Sequence, residues 1–101
     1  MKLVLINNTI INRKNIESIS VNILEHYHKY YIDIDIQCLS GNVYTESIQV
    51  MDLPEESTER DDVKQRIINK ITSDITTKRK EINIRLIIAS VFLDIGLEYI
   101  N

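Results

Sequence analysis

Residues 81 to 100 read EINIRLIIASVFLDIGLEYI, the most apolar stretch of a 101-residue chain whose formal net charge is −3. Whether this stretch is helix or strand decides the fold. On a helical wheel at about 100° per residue, Ile82, Leu86, Ala89, Leu93 and Leu97 form one apolar arc. Ile84, Ile88, Val91 and Ile95, extended by Phe92, form a second arc on nearly the opposite side. Asn83, Ser90 and Asp94 lie along one seam between them, and Glu81 and Arg85 along the other. The competing reading is a fifth or sixth strand, because EINIRL also alternates at period 2 and LIIASVFL is rich in branched residues. Length, the stop signal at Gly96 and the two-arc pattern favour the helix. A helix with two dry faces needs two covers. One is the chain's own sheet or first helix; the other, by the commonest form of assembly, is the same helix in a second copy. The expectation is a homodimer through residues 82–97, with Ile84, Ile88, Val91, Phe92 and Ile95 at the interface.

Upstream, the pattern is that of a sheet. KLVLI at 2–6 is branched and apolar, and Asn7-Asn8 tolerates the positive φ of a tight hairpin before TIIN resumes. After the polar NRKN, Ile19, Val21 and Ile23 alternate with Ser18, Ser20 and Asn22, the period of a strand with one dry face. The strongest strand is YYIDIDIQC: Tyr30, Ile32, Ile34, Ile36 and Cys38 share one face, and Tyr31, Asp33, Asp35 and Gln37 the other. Gly41 supplies a turn, and VYTESIQVM returns with Ile48 and Val50 inward. Pro54 then stops strand pairing, Ser57 or Thr58 caps a helix, and Val63, Ile67, Ile68, Ile71 and Ile75 recur at helical spacing. TSDITT, a run of poor helix formers, is expected to fray or bend that helix before the basic KRK at 78–80.

These elements predict an α+β fold: an antiparallel β-meander of four to five strands followed by one or two C-terminal helices. The length suits a single domain over 1–101, with the meander in 1–53 and the helical part in 54–101. With 44% hydrophobic and 27% charged residues the composition is globular. Cys38, the single cysteine, excludes an internal disulfide and a multi-cysteine zinc cage, and points to a reducing compartment. The N-terminus carries too short an apolar run for a secretory signal, and Arg85, Ser90 and Asp94 interrupt the apolar C-terminal stretch. The expected location is cytoplasmic, the host cytoplasm if the protein is viral, with no membrane partner.

Chemistry-bearing residues are sparse. His26 and His28 flank Tyr27 with a metal-compatible separation, but the chain has no third histidine to complete a site. A solvated turn accounts for them better, and no metal or cofactor is expected. Asp33 and Asp35 share a wet face, where alternating carboxylates keep a strand soluble rather than act as an acid and base. Cys38 sits on the dry face, distant from both histidines. With two glycines and no Walker-type or G-x-G-x-x-G spacing, nucleotide hydrolysis has no support. The one concentration of cations is Lys78, Arg79, Lys80 and Arg85, with Lys64, Arg66 and Lys70 on the preceding helix. Such a group suits an anionic nucleotide at an inter-helix or inter-subunit site. General double-stranded nucleic acid binding is disfavoured by the acidic balance.

The layout of a small meander followed by C-terminal helices, in an Ile/Asn/Lys-rich chain, resembles that of small proteins of bacteriophages and mobile elements. Among these is the phage Thoeris anti-defence 1 family of signal-nucleotide sponges, a sheet followed by dimerising helices. The resemblance covers layout and transfers no binding residue. The function expected is a non-enzymatic binding protein that acts by protein–protein contact on a host factor, for example as a counter-defence inhibitor. The alternative is a sponge that sequesters an anionic nucleotide at Lys78, Arg79, Lys80 and Arg85. A small metal-dependent enzyme using His26 and His28 ranks third.

Overall fold

The computed structural model describes residues 2–77 and 80–98. The chain is α+β, with strands β1 (Leu3–Ile6), β2 (Thr9–Asn12), β3 (Ile16–His26), β4 (Lys29–Cys38) and β5 (Val43–Val50), helix α1 (Ser57–Ile75), strand β6 (Glu81–Asn83) and helix α2 (Ile84–Ile95). The expected meander of four to five strands becomes two three-stranded sheets, ordered β2-β1-β6 and β3-β4-β5. The extra strand is β6, which runs parallel to β1 with Val4 opposite Ile82. A parallel pair needs a long connection, and here α1 lies within it.

Both competing readings of residues 81–100 hold in part. EIN is strand, and the helix begins at the next residue. Asn83 makes the switch: its backbone is extended (φ −109°, ψ 113°) and its side chain accepts the Leu86 N–H at 3.3 Å, capping α2. At the other end Gly96 takes φ 75°, and the Leu97 N–H bonds back to the Phe92 carbonyl at 2.9 Å.

The three-stranded meander β3-β4-β5 has the alternation expected. Ile32, Ile34, Ile36, Cys38, Ile48 and Val50 are buried on its inner face. On its outer face the Thr45 and Ser47 hydroxyls donate to Asp35 and Asp33, each at 2.6 Å. The two tight hairpins, one in each sheet, differ in kind. Asn7-Asn8 closes the β1–β2 hairpin at φ 44° and 62°, residues suited to it; Tyr27-His28 closes β3–β4 at φ 50° and 62° with residues that are not.

Helix α1 starts one residue earlier than a Ser57 cap would give, and two earlier than a Thr58 cap. Its N-cap is Glu56, which makes no side-chain capping bond. The helix continues through the first four residues of TSDITT and ends within that run, at Ile75. The reason lies elsewhere in the chain. Buried Arg13 donates to the carbonyls of Ile75 at 3.0 Å and Thr77 at 3.3 Å, and Lys2 Nζ donates to Thr77 at 3.0 Å. Two cations thus satisfy the terminal carbonyls and oppose the negative end of the helix dipole. One continuous cluster of buried residues, drawn from both sheets and both helices, forms the core, with Phe92, Ile67, Ile71, Ile84 and Ile88 at 0% exposure.

Candidate binding surface

The residues assigned to a dimer interface lie inside the chain. Ile84, Ile88, Val91 and Phe92 are buried in its own core, and Ile95 packs partly buried against it. The interface assignment is therefore corrected: the bulkier arc of α2 turns inward, where its branched and aromatic side chains fill the space against the sheets and α1. The other arc faces out. Leu86 is 67% and Leu93 83% exposed, Ser90 is exposed, and Ala89 and Leu97 are partly so. Ile82, placed on that arc by the wheel, belongs to β6 and is buried.

The expected anion site is not assembled among the described residues. Lys78 and Arg79 lie outside them. Lys80 is exposed in the bend before β6, and its carbonyl accepts the Leu3 N–H at 2.7 Å. Arg85 stands 3.9 Å from Oε2 of Glu46, a carboxylate on the core-facing side of β5 that is only 8% exposed. Its other oxygen accepts the Asn7 N–H at 3.4 Å. Arg85 thus already has a counterion, and so have Arg66 (Asp62, 2.9 Å) and Lys70 (Asp74, 3.6 Å). His26 ends β3 and His28 lies in the hairpin turn, both exposed. No group of three or more metal-ligating side chains occurs among the described residues, and no described helix is long and apolar enough to cross a membrane.

A different feature stands out. A groove of about 540 Å³ is lined by Leu3, Leu5 and Ile10 of the first sheet, by all of β6, by Leu86, Ile87 and Ser90 of α2, and by Lys70 and Asp74 of α1. Its size falls in the range of binding clefts. Register explains one wall: Leu5 sits between Ile10 on β2 and Asn83 on β6, so this row crosses the outer face of the sheet. Val4, Ile6 and Ile11 face the core instead. Ile10 is 66% and Leu5 37% exposed, which leaves apolar surface uncovered along the groove.

The charged groups of the groove are unequal in sign: Asp74 and Glu81 bring two carboxylates and Lys70 one ammonium. Asp74 is 9% exposed, and among the described residues its ion pair is the long contact to Lys70. The position had a sequence signal. Val63, Ile67, Ile71 and Asp74 fall on one stripe of α1, so the aspartate interrupts an otherwise apolar face. What the arrangement can do is hold apolar side chains beside a cationic one.

Comparison with known family models, with curated proteins and with solved structures finds no match to this chain.

Proposed function

We propose that this is a non-enzymatic binding protein that works by contact with a protein partner, through the groove between the first sheet, α1 and α2. The observation that carries the reading is the uncovered apolar wall of Leu5, Ile10 and Leu86 around a cleft of about 540 Å³. Isolated exposed leucines are ordinary, but a concave apolar surface rimmed by charges is the form protein contacts take. The segment that fits presents two or three apolar side chains and one lysine or arginine toward Asp74 and Glu81. The narrower version, with a host defence factor as the partner, rests on the layout's likeness to phage proteins alone.

The nucleotide-sponge reading has less behind it. It needs Arg85 as an anion ligand, and that side chain faces Glu46.

The test compares baits. The parent protein and a Leu5→Glu/Ile10→Glu variant are used to capture partners from the same cell extract, after circular dichroism has shown both folded. A protein held by the parent and released by the variant, and then bound directly when purified, is the expected result. Identical capture by the two baits overturns the groove as the working surface.

A further inference from the structure

We infer that a second copy of this chain covers the outer stripe of α2, with the two helices antiparallel and crossing at Ala89 and Ser90. This surface adjoins the groove and shares Leu86 and Ser90 with it. Leu86, Ala89, Ser90, Leu93 and Leu97 line a shallow hollow along the helix, and no ionised side chain lines it. On a wheel of about 100° per residue these five positions fall within roughly a third of the circumference.

The order along the stripe is what selects a second copy over another occupant. It reads large, small, small, large at 86, 89, 90 and 93, a pattern that mirrors itself about the midpoint of Ala89 and Ser90. A two-fold axis through that midpoint sets Leu86 beside Leu93 of the second copy, and Leu93 beside its Leu86. The small pair then meets the small pair, which lets the helix axes approach to the ~8 Å end of the normal packing range. Such self-complementarity is the requirement of an isologous interface, where one patch must fit itself. A partner of different sequence makes no such demand.

Charge agrees with the arrangement. Two chains of net charge −3 repel, so they meet best where neither presents a charge. The flanking Arg85 and Asp94 lie at opposite ends of α2. In the antiparallel pair each is offset along the axis from its own copy by nine residues, about 14 Å at the helical rise. That exceeds the ~8–10 Å over which salt screens exposed charges. A parallel pair would instead set Arg85 level with Arg85 and Asp94 level with Asp94.

Size sets a further condition. A stable interface removes about 800 Å² from each partner, roughly an eighth of the 6618 Å² of this chain. The α2 stripe supplies the centre of such a patch and needs flanking surface to complete it. Leu86 and Ser90 are shared with the groove, so in the pair Leu93 of the second copy, set beside Leu86, extends the groove wall at that end.

Two measurements test this. Sedimentation equilibrium of the parent should give a dimer whose dissociation constant rises by about thirtyfold or more on Leu93→Glu, the loss typical of a central interface residue. The variant's melting temperature, extrapolated to low protein concentration, stays that of the parent, because Leu93 contacts solvent in the single chain. Separately, Ala89→Cys under copper-catalysed air oxidation should give a disulfide-linked dimer, and Ser73→Cys on the exposed face of α1 should not. A parent that stays monomeric at high micromolar concentration overturns the inference. So does a dimer indifferent to Leu93→Glu, or equal cross-linking at positions 73 and 89. Leu5→Glu, which strikes the groove, leaves the dimer intact, so the two proposals fail separately.

Discussion

Replacing Tyr27-His28 with Asn-Gly should make this protein more stable. Both residues adopt positive φ, 50° and 62°, to close the β3–β4 hairpin. Side chains of L-residues resist that conformation by roughly 1–2 kcal/mol each, because Cβ crowds the following carbonyl. Glycine at 28 relieves the strain but loses about 0.5–1 kcal/mol through the freedom it gains unfolded. Asparagine at 27 tolerates the conformation, and its gain is set against the edge contact between the His26 and Tyr27 rings, centroids 4.3 Å apart. Such a ring pair contributes about 0.5–1.5 kcal/mol, toward the low end here because Tyr27 is 84% exposed. The net expectation for the double variant is a gain of about 1 kcal/mol, or about 4–8 °C in melting temperature for a domain of this size. Urea denaturation should show the midpoint raised with the slope unchanged. His28→Ala, which keeps a Cβ, serves as the control and should leave the midpoint near the parent's. An Asn-Gly variant with a midpoint at or below the parent's would refute the strain argument.

Three other substitutions examine the core and its edges. Phe92→Ala should destabilise by about 3–5 kcal/mol, as expected for a fully buried aromatic, while Leu93→Ala should change the stability of the single chain little; comparable losses by thermal melting would reverse the assigned faces of α2. Arg13→Ala should cost about 1.5–3 kcal/mol, the range for hydrogen bonds from a charged group. Hydrogen exchange would locate the loss in the last turn of α1, and unchanged protection there would sink the capping role. Arg85→Ala should destabilise by leaving the Glu46 carboxylate enclosed without its cation, and adding Glu46→Gln should recover most of the loss. If the second change deepens the loss, the pair is not coupled as described.

Local chemistry made much of this fold legible. The alternation from Tyr30 to Cys38 and the Asn7-Asn8 turn predict the meander and the first hairpin, since a period of 2 and a tolerance for positive φ are properties of the residues themselves. Gly96 likewise ends α2 where expected. The division into two sheets was not legible, because the partner of Glu81–Asn83 is β1, at the other end of the chain, and nothing within EIN names it. Distance along the chain also hid the end of α1. Its propensity predicts fraying, and the cations that hold it, Lys2 and Arg13, lie in a different segment. For α2 the wheel separated two arcs, with Ile82 misplaced because it belongs to β6, but offered no rule for which turns inward. The inward arc carries Phe92 and three isoleucines, whereas the outward one carries Ala89 and Ser90, and bulk decides the matter. Asp74 could have been found from the stripe it interrupts. The groove itself could not, as its walls come from five elements.

The pairing of β1 with β6 also orders events in time. The meander β3–β5 needs only hairpin closures between neighbouring segments, so it can assemble from a partly made chain. The first sheet cannot, since its central strand waits for a neighbour that lies beyond every other strand and α1. Synthesis from the ribosome must pass residue 83 before Val4 and Ile82 can meet, and α2, which packs against β1, emerges later still. Until then the β1–β2 hairpin stands with its apolar face open. A truncation before Glu81 would leave β1 without its parallel neighbour and the core without the buried face of α2.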